Sequence, residues 1–138
     1  MDKRKLIALA AISLIVLGAV LWPQFAPKPV AVPMALPEGF IVPTFTAEQQ
    51  LGQNNFTKYC AACHGDYGLG TDSGPTFMHR VYEPNHHGDG AFYNAALNGI
   101  RAHHWKFGDM PPVEGISEAE IGPIVAYIRA LQKANGVF

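Results

Sequence analysis

Residues 59–65 read Tyr-Cys-Ala-Ala-Cys-His-Gly, and Cys60 and Cys63 are the only two cysteines in the chain. Two thiols this close, with a histidine directly behind the second, admit four chemistries: a disulfide, a redox dithiol, half of a zinc site or a cofactor tether. Each requires a different fold around it. A disulfide between such near neighbours closes a tiny loop, gains little from chain entropy and is strained on a helix. A zinc site built on a cysteine pair needs two further ligands, and there is no second pair; histidines would have to supply them. A thioredoxin-like dithiol belongs beside a strand–helix–strand alternation, which this chain lacks.

The remaining reading is C-x-x-C-H, the attachment signal for haem c. On a helical turn Cys60 and Cys63 share one side, where their sulfurs can bond the two vinyl groups of one porphyrin edge, and His64 then faces the iron. Thioether bonds hold the cofactor without a large protein core, which suits a folded part of about 95 residues, 44–138.

The rest of the chain divides into three parts. After Met1-Asp2-Lys3-Arg4-Lys5 comes an uncharged run, Leu6 to Trp22, of 17 residues. That is close to the lower limit for crossing a bilayer core about 30 Å thick. Bulky residues at Trp22-Pro23-Gln24-Phe25 leave no small-residue cleavage site, so 1–22 reads as an uncleaved anchor, with a signal peptide as the alternative. The basic residues before it belong in the cytoplasm and everything after it outside. This predicts a single-pass membrane protein with its folded domain on the outer side. Residues 23–43 carry prolines at 23, 27, 29, 33, 37 and 43, a density that suppresses helix and strand pairing and predicts an extended stalk.

Within 44–138, Thr46 and Gln49 predict a capping box and a helix from about Ala47 to Tyr59-Cys60, with Gly52, Phe56 and Cys60 on one face. A second helix is expected over Ala91–Gly99. Ser117 and Glu120 open a third, with Ile121, Ile124, Val125, Ile128 and Leu131 at helical spacing and Asn135-Gly136 at its end. Pro123 either bends its first turn or delays its start. Loops 65–90 and 101–116 are too long for a small domain unless they pack on something, and a flat apolar cofactor provides that surface. Such a cofactor calls for a second iron ligand, from Met78, His79, His86, His87, His103, His104 or Met110. Met110 is the preferred one, because Gly108-Asp109-Met110-Pro111-Pro112 forms a stiffened loop that can carry a thioether to the iron.

The segment from Thr46 to Ala134 resembles a class I cytochrome c domain of bacterial type. The matching elements are Cys60-Ala61-Ala62-Cys63-His64, the Gly-Asp-Met110-Pro-Pro loop, and Gly52 with Phe56 facing Tyr127. The resemblance implies an all-α fold of three to four helices and long loops wrapped around one covalent haem c, its first and last helices crossing closely at Gly52. It also implies that the Pro75 carbonyl, in the Gly74-Pro75 turn, accepts a hydrogen bond from His64. The anchor and stalk lie outside the resemblance.

Histidine and methionine ligation leaves iron no open position, which favours reversible one-electron transfer at a fairly positive potential over enzymatic chemistry. Trp105 has two readings, a hydrogen-bond donor to a haem propionate or a core residue; Tyr93, Phe77 and Phe107 read as packing residues. Beyond residue 22, seven basic side chains face ten acidic ones, a balance that argues against nucleic acid and points to weakly engaged redox proteins. These are a quinol-oxidising complex or dehydrogenase as donor and a terminal oxidase or reductase as acceptor. The alternative is a dedicated haem subunit or metal-handling accessory of a larger periplasmic oxidoreductase. Five histidines remain outside the attachment motif. They are expected to hydrogen-bond loop carbonyls and propionates. The competing reading is a copper or zinc site taking one residue from each of His86-His87 and His103-His104, with His79 or Asp89 nearby, since neighbours on extended backbone point to opposite sides.

Overall fold

Thr46, in extended backbone, accepts from the Gln49 amide at 3.3 Å while the Gln49 side chain accepts from the Thr46 amide at 3.0 Å, in a computed structural model that describes residues 35–138. This reciprocal cap satisfies two amides that a helix start leaves unpaired. Helix α1, Ala47–Tyr59, follows. A one-turn helix α2, Ala61–His64, continues from it across Cys60. Helix α3 runs Asp89–Asn98 and α4 runs Glu118–Ala134. Two 3-10 turns, Asp66–Gly68 and Arg80–Tyr82, punctuate the first long loop. Among the described residues, pairing of the strand kind is confined to two isolated bridges, Thr71 with Gly74 and Ile100 with Met110. The expected span over 6–22 and the stalk as far as residue 34 lie outside the described residues.

Helix α4 is the spine of the core. Ile121, Ile124, Val125, Ile128 and Leu131 are all buried, as the helical spacing predicts, and so is Tyr127. Complete burial of one such aliphatic side chain is worth about 1.5–3 kcal/mol. Phe56 of α1 joins Ile124, Tyr127, Ile128 and Leu131 in one cluster; Ala96 of α3 joins Ile121 and Val125 in a second. The aromatic rings interlock at angles, Phe56 with Tyr127 at 5.6 Å and Phe45 with Tyr127 at 5.1 Å between centroids.

The approach of α1 to α4 depends on Gly52. A Cβ there would stand 1.9 Å from the Pro123 carbonyl oxygen and 2.9 Å from Tyr127 Cβ. Any side chain would force the two backbones apart. Pro123 therefore neither ends nor delays α4; the helix runs through it, and its carbonyl forms part of the crossing. A polar seam closes the same contact. Tyr59 donates to Glu120 Oε1 at 2.7 Å, Asn55 donates to the Glu120 carbonyl at 3.2 Å, and the other carboxylate oxygen accepts from the Ser117 amide at 2.9 Å and hydroxyl at 2.7 Å. Glu120 thus caps its own helix and ties it to α1.

Packing extends beyond the domain start expected at residue 44. Phe40 packs on the core and meets Tyr67 edge to face, and Ile41 exchanges backbone hydrogen bonds of 2.8 Å with the Asn135 side chain at the end of α4. No helix among the described residues is long and apolar enough to cross a membrane.

Candidate functional site

Cys60, Cys63 and His64 follow directly from α1, and the chain behind them folds back tightly. The Gly70 amide bonds the His64 carbonyl at 2.6 Å, Thr71 pairs with Gly74, and the Phe77 amide reaches the Gly68 carbonyl at 2.7 Å. The fold-back brings the Pro75 carbonyl to 2.9 Å from His64 Nδ1. A carbonyl can only accept, so Nδ1 carries the proton and Nε2 keeps its lone pair. Phe77 stacks on the imidazole at 4.5 Å. His64 is only 8% exposed, and this burial lowers its pKa against the opposing pull of the Pro75 carbonyl. The side chain presents a neutral, oriented Nε2 lone pair to its surroundings.

The Cys60 thiol differs from that of a reactive redox pair. Burial first, and then the neighbouring Cys63, pushes the Cys60 thiol up to about 11. Reactive dithiols instead have depressed values that give thiolate at neutral pH.

A cavity of about 340 Å³ opens on these residues. Cys60, Cys63, His64, Pro75, Phe77, Trp105 and Met110 all line it, together with apolar side chains from α3 and α4. Every residue expected to bind or orient the cofactor is therefore brought to one cavity. Met110 is held by its bridge to Ile100, with hydrogen bonds of 2.9 and 2.8 Å, and by Gly99, where a Cβ would stand 2.6 Å from the Met110 carbonyl oxygen. Met78 packs on the Phe56 cluster, as expected of a core methionine.

Two observations fit a flat apolar cofactor carrying acidic groups. The lining is dominated by aromatic and aliphatic side chains. Within it the Trp105 indole Nε1 is buried without a well-formed hydrogen bond, the Tyr82 hydroxyl lying close but out of good geometry, a costly state for a polar group. Phe107, expected to be packed, is 44% exposed and borders the same cavity. Its packing surface is the cavity and not the helical core.

The five remaining histidines gather on one side. His79 accepts from the Val81 amide at 3.2 Å, starting the second 3-10 turn, and meets Trp105 edge to face. His86 Nε2 lies 3.2 Å from His104 Nε2. His87 donates through Nδ1 to the Val81 carbonyl at 2.6 Å, and His103 through Nδ1 to the Arg101 carbonyl at 2.9 Å. Desolvation and then His103, His87, His86 and His79 lower the pKa of His104. The expected division of each pair to opposite sides fails for His86 and His87. Both amides bond the Glu83 carbonyl, at 2.9 and 2.8 Å, so the segment is a tight turn and both side chains reach the cluster. Asp89 takes no part, being paired with Arg129 at 2.8 Å.

Arg129 and Gln132 organise this region without any expectation from sequence. Arg129 donates to the carbonyls of Tyr82 and His87 at 2.7 and 2.6 Å, and buried Gln132 donates to the Phe77 carbonyl at 2.9 Å while accepting from Arg129 at 2.7 Å. The available signal was two hydrogen-bonding residues three apart on an otherwise apolar helix face, where a long loop needs its carbonyls satisfied.

Fold and cavity together define a small helical domain built around a cysteine-tethered cofactor. The family model of cytochrome c matches residues 49–132, more than half of the chain, and the chain belongs to the cytochrome c family. Members of this family bind haem c covalently, and Cys60 and Cys63 have the spacing that attachment requires. No curated protein and no solved structure matches the chain. A cytochrome c domain implies electron transfer through haem with redox proteins as partners.

Proposed function

We propose that the protein is a membrane-anchored one-electron carrier of class I type whose iron is held by His64 and Met110. The observation that carries this reading is His64, buried and oriented by Pro75 at 2.9 Å, on the cavity that Met110 also lines. Bound haem supplies the reversible change between ferrous and ferric iron. The chain's own residues do the rest. Pro75 fixes the tautomer that leaves Nε2 free to ligate, and the hydrogen-bonded partner strengthens the imidazole as a donor. Met110 offers a soft sulfur that favours ferrous iron and raises the potential. Trp105 offers its N–H to a propionate, and the apolar lining keeps water from the ring edge.

Residues 6–22 anchor the chain in a bacterial inner membrane, and the haem domain works in the periplasm between a quinol-oxidising complex or dehydrogenase and a terminal oxidase or reductase. The deciding test of ligation is optical. Ferric protein is expected to show the weak near-infrared band of sulfur-to-iron charge transfer, and Met110→Ala to remove it and admit carbon monoxide to the ferrous form. A low-spin wild-type spectrum without that band would move ligation to His87, His103 or His104, which also line the cavity.

A second reading, a haem subunit or metal-handling accessory of a larger oxidoreductase, draws on the gathered histidines. Stable co-purification with one enzyme would favour it, and rapid electron exchange with several soluble redox proteins would favour the carrier.

A further inference from the structure

We propose that His86, His87 and His104 form a binding site for one borderline divalent transition ion, Cu(II) or Zn(II), at the rim of the haem cavity. One nitrogen from each of the three lies within 4.8 Å of the others. Ligand nitrogens at about 2.0–2.1 Å from a tetrahedral ion are about 3.3–3.4 Å apart, so His86 and His104, at 3.2 Å, already have the spacing of a ligated pair. His87 closes the remaining gap by a small movement of one ring.

The supporting groups have the arrangement that ligating histidines need. His87 Nδ1 donates to the Val81 carbonyl at 2.6 Å, which leaves Nε2 as the ligating atom and sets the ring's direction. The backbone that carries His86 and His87 is tied down twice, by the turn on the Glu83 carbonyl and by Arg129, which holds the His87 carbonyl at 2.6 Å. Arg129 is itself fixed by Asp89 at 2.8 Å. The third ligand comes from the loop after α3, so the ion would join two loops that the backbone leaves separate. His86 and His104 are exposed, which gives the ion a way in. An all-imidazole donor set suits Cu(II) and Zn(II) and disfavours Mg(II) and Ca(II), which prefer oxygen. His79 and His103 do not share the common 4.8 Å spacing of the other three, so neither belongs to the set.

The site rests on the proposed ligation of iron by Met110, which leaves His87 and His104 free for a second ion although both line the cavity. An added dication beside the cavity disfavours the ferric state, so occupancy should raise the midpoint potential of the haem. The experiment is calorimetric titration of Zn(II) into untagged haem-loaded protein, with potentiometry alongside. One equivalent is expected to bind and to raise the potential. His86→Ala, His87→Ala and His104→Ala should each weaken binding by about a hundredfold or more, beyond what loss of a supporting group costs, and should abolish the shift. His79→Ala should keep both. Haem absorption of every variant verifies folding, and retention of the near-infrared band separates this test from that of Met110. Absence of stoichiometric binding, binding indifferent to the three substitutions, or equal loss in His79→Ala would each overturn the assignment. Cu(II) resonance spectra of the ferric protein add an independent reading, nitrogen hyperfine structure being expected and an all-oxygen spectrum being contrary.

Discussion

Trp105 shows how one atom can reveal what a site is shaped to receive. Its indole N–H is buried and makes no well-formed hydrogen bond among the described residues, the Tyr82 hydroxyl being close but poorly aligned, although a buried donor left unpaired costs about 1–3 kcal/mol. A propionate would remove that cost and gain a charge-assisted hydrogen bond. Trp105→Phe is therefore expected to lower the stability of the haem-loaded protein by about 1.5–3 kcal/mol, the range for a hydrogen bond to a charged group. It should also lower the midpoint potential, because a less compensated propionate favours ferric iron. Denaturant unfolding and potentiometry check the pair of effects; a variant unchanged in both would remove Trp105 from the binding site. Glu120 makes a second residue-scale case. The Tyr59 hydroxyl first, then Ser117 and Lys58, hold its carboxyl at about 2 against an ordinary 4.5. A group with a depressed folded pKa stabilises fully above its unfolded value and loses that contribution as pH falls through the folded one. Glu120→Gln should therefore be less stable than wild type at neutral pH, and the difference should shrink between about pH 4.5 and pH 2. A gap that stays constant over that interval would contradict the role assigned to the carboxylate.

Among the elements, the crossing of α1 on α4 depends most on a single position. With Pro123 O 1.9 Å from where a Cβ would be at Gly52, Gly52→Ala cannot be absorbed by a rotamer change, since the obstacle is backbone. Overpacking of this kind typically costs about 1–3 kcal/mol and can cost more where backbones must separate. The expected outcome is a loss of at least about 3 kcal/mol in denaturant unfolding of the haem-loaded protein, whereas Gly90→Ala, with open space at its Cβ, should be close to neutral. Equal stability of the two variants would mean that the crossing is looser than its geometry. The long loops follow a different logic. The first of them, 65–90, is held less by its own sequence than by Arg129 and Gln132 reaching out of α4 to carbonyls at Phe77, Tyr82 and His87.

At the scale of the whole molecule, the proposed arrangement is a haem domain held at a membrane by an apolar segment just long enough to span. Membrane fractions should retain the protein until detergent is added, with Met1 or the adjacent residues at the mature N-terminus. Removal of residues 1–22 should release a soluble domain with an unchanged haem spectrum. Mature protein beginning between residues 23 and 37 would convert the anchor to a signal peptide. The surface, with seven basic and ten acidic side chains beyond residue 22, suits brief encounters more than a permanent charged dock.

Much of this was legible along the chain because it depends on neighbours a few residues apart. The attachment motif, both helix-start signals and the apolar period of α4 are local patterns, and Gly52 was identifiable through the resemblance to cytochromes c. The position of Phe40 on the core, the passage of α4 through Pro123, and the work of Arg129 and Gln132 were decided by contacts between residues far apart in the chain, from Phe40 with Tyr67 to Ile41 with Asn135, 94 positions away, which no local period encodes. The histidines show the physical reason most directly. Adjacent side chains diverge on extended backbone, but the amides of His86 and His87 both close on Glu83. That turn, together with the return of the chain through His104, turned a doubtful pair into a converging set of three.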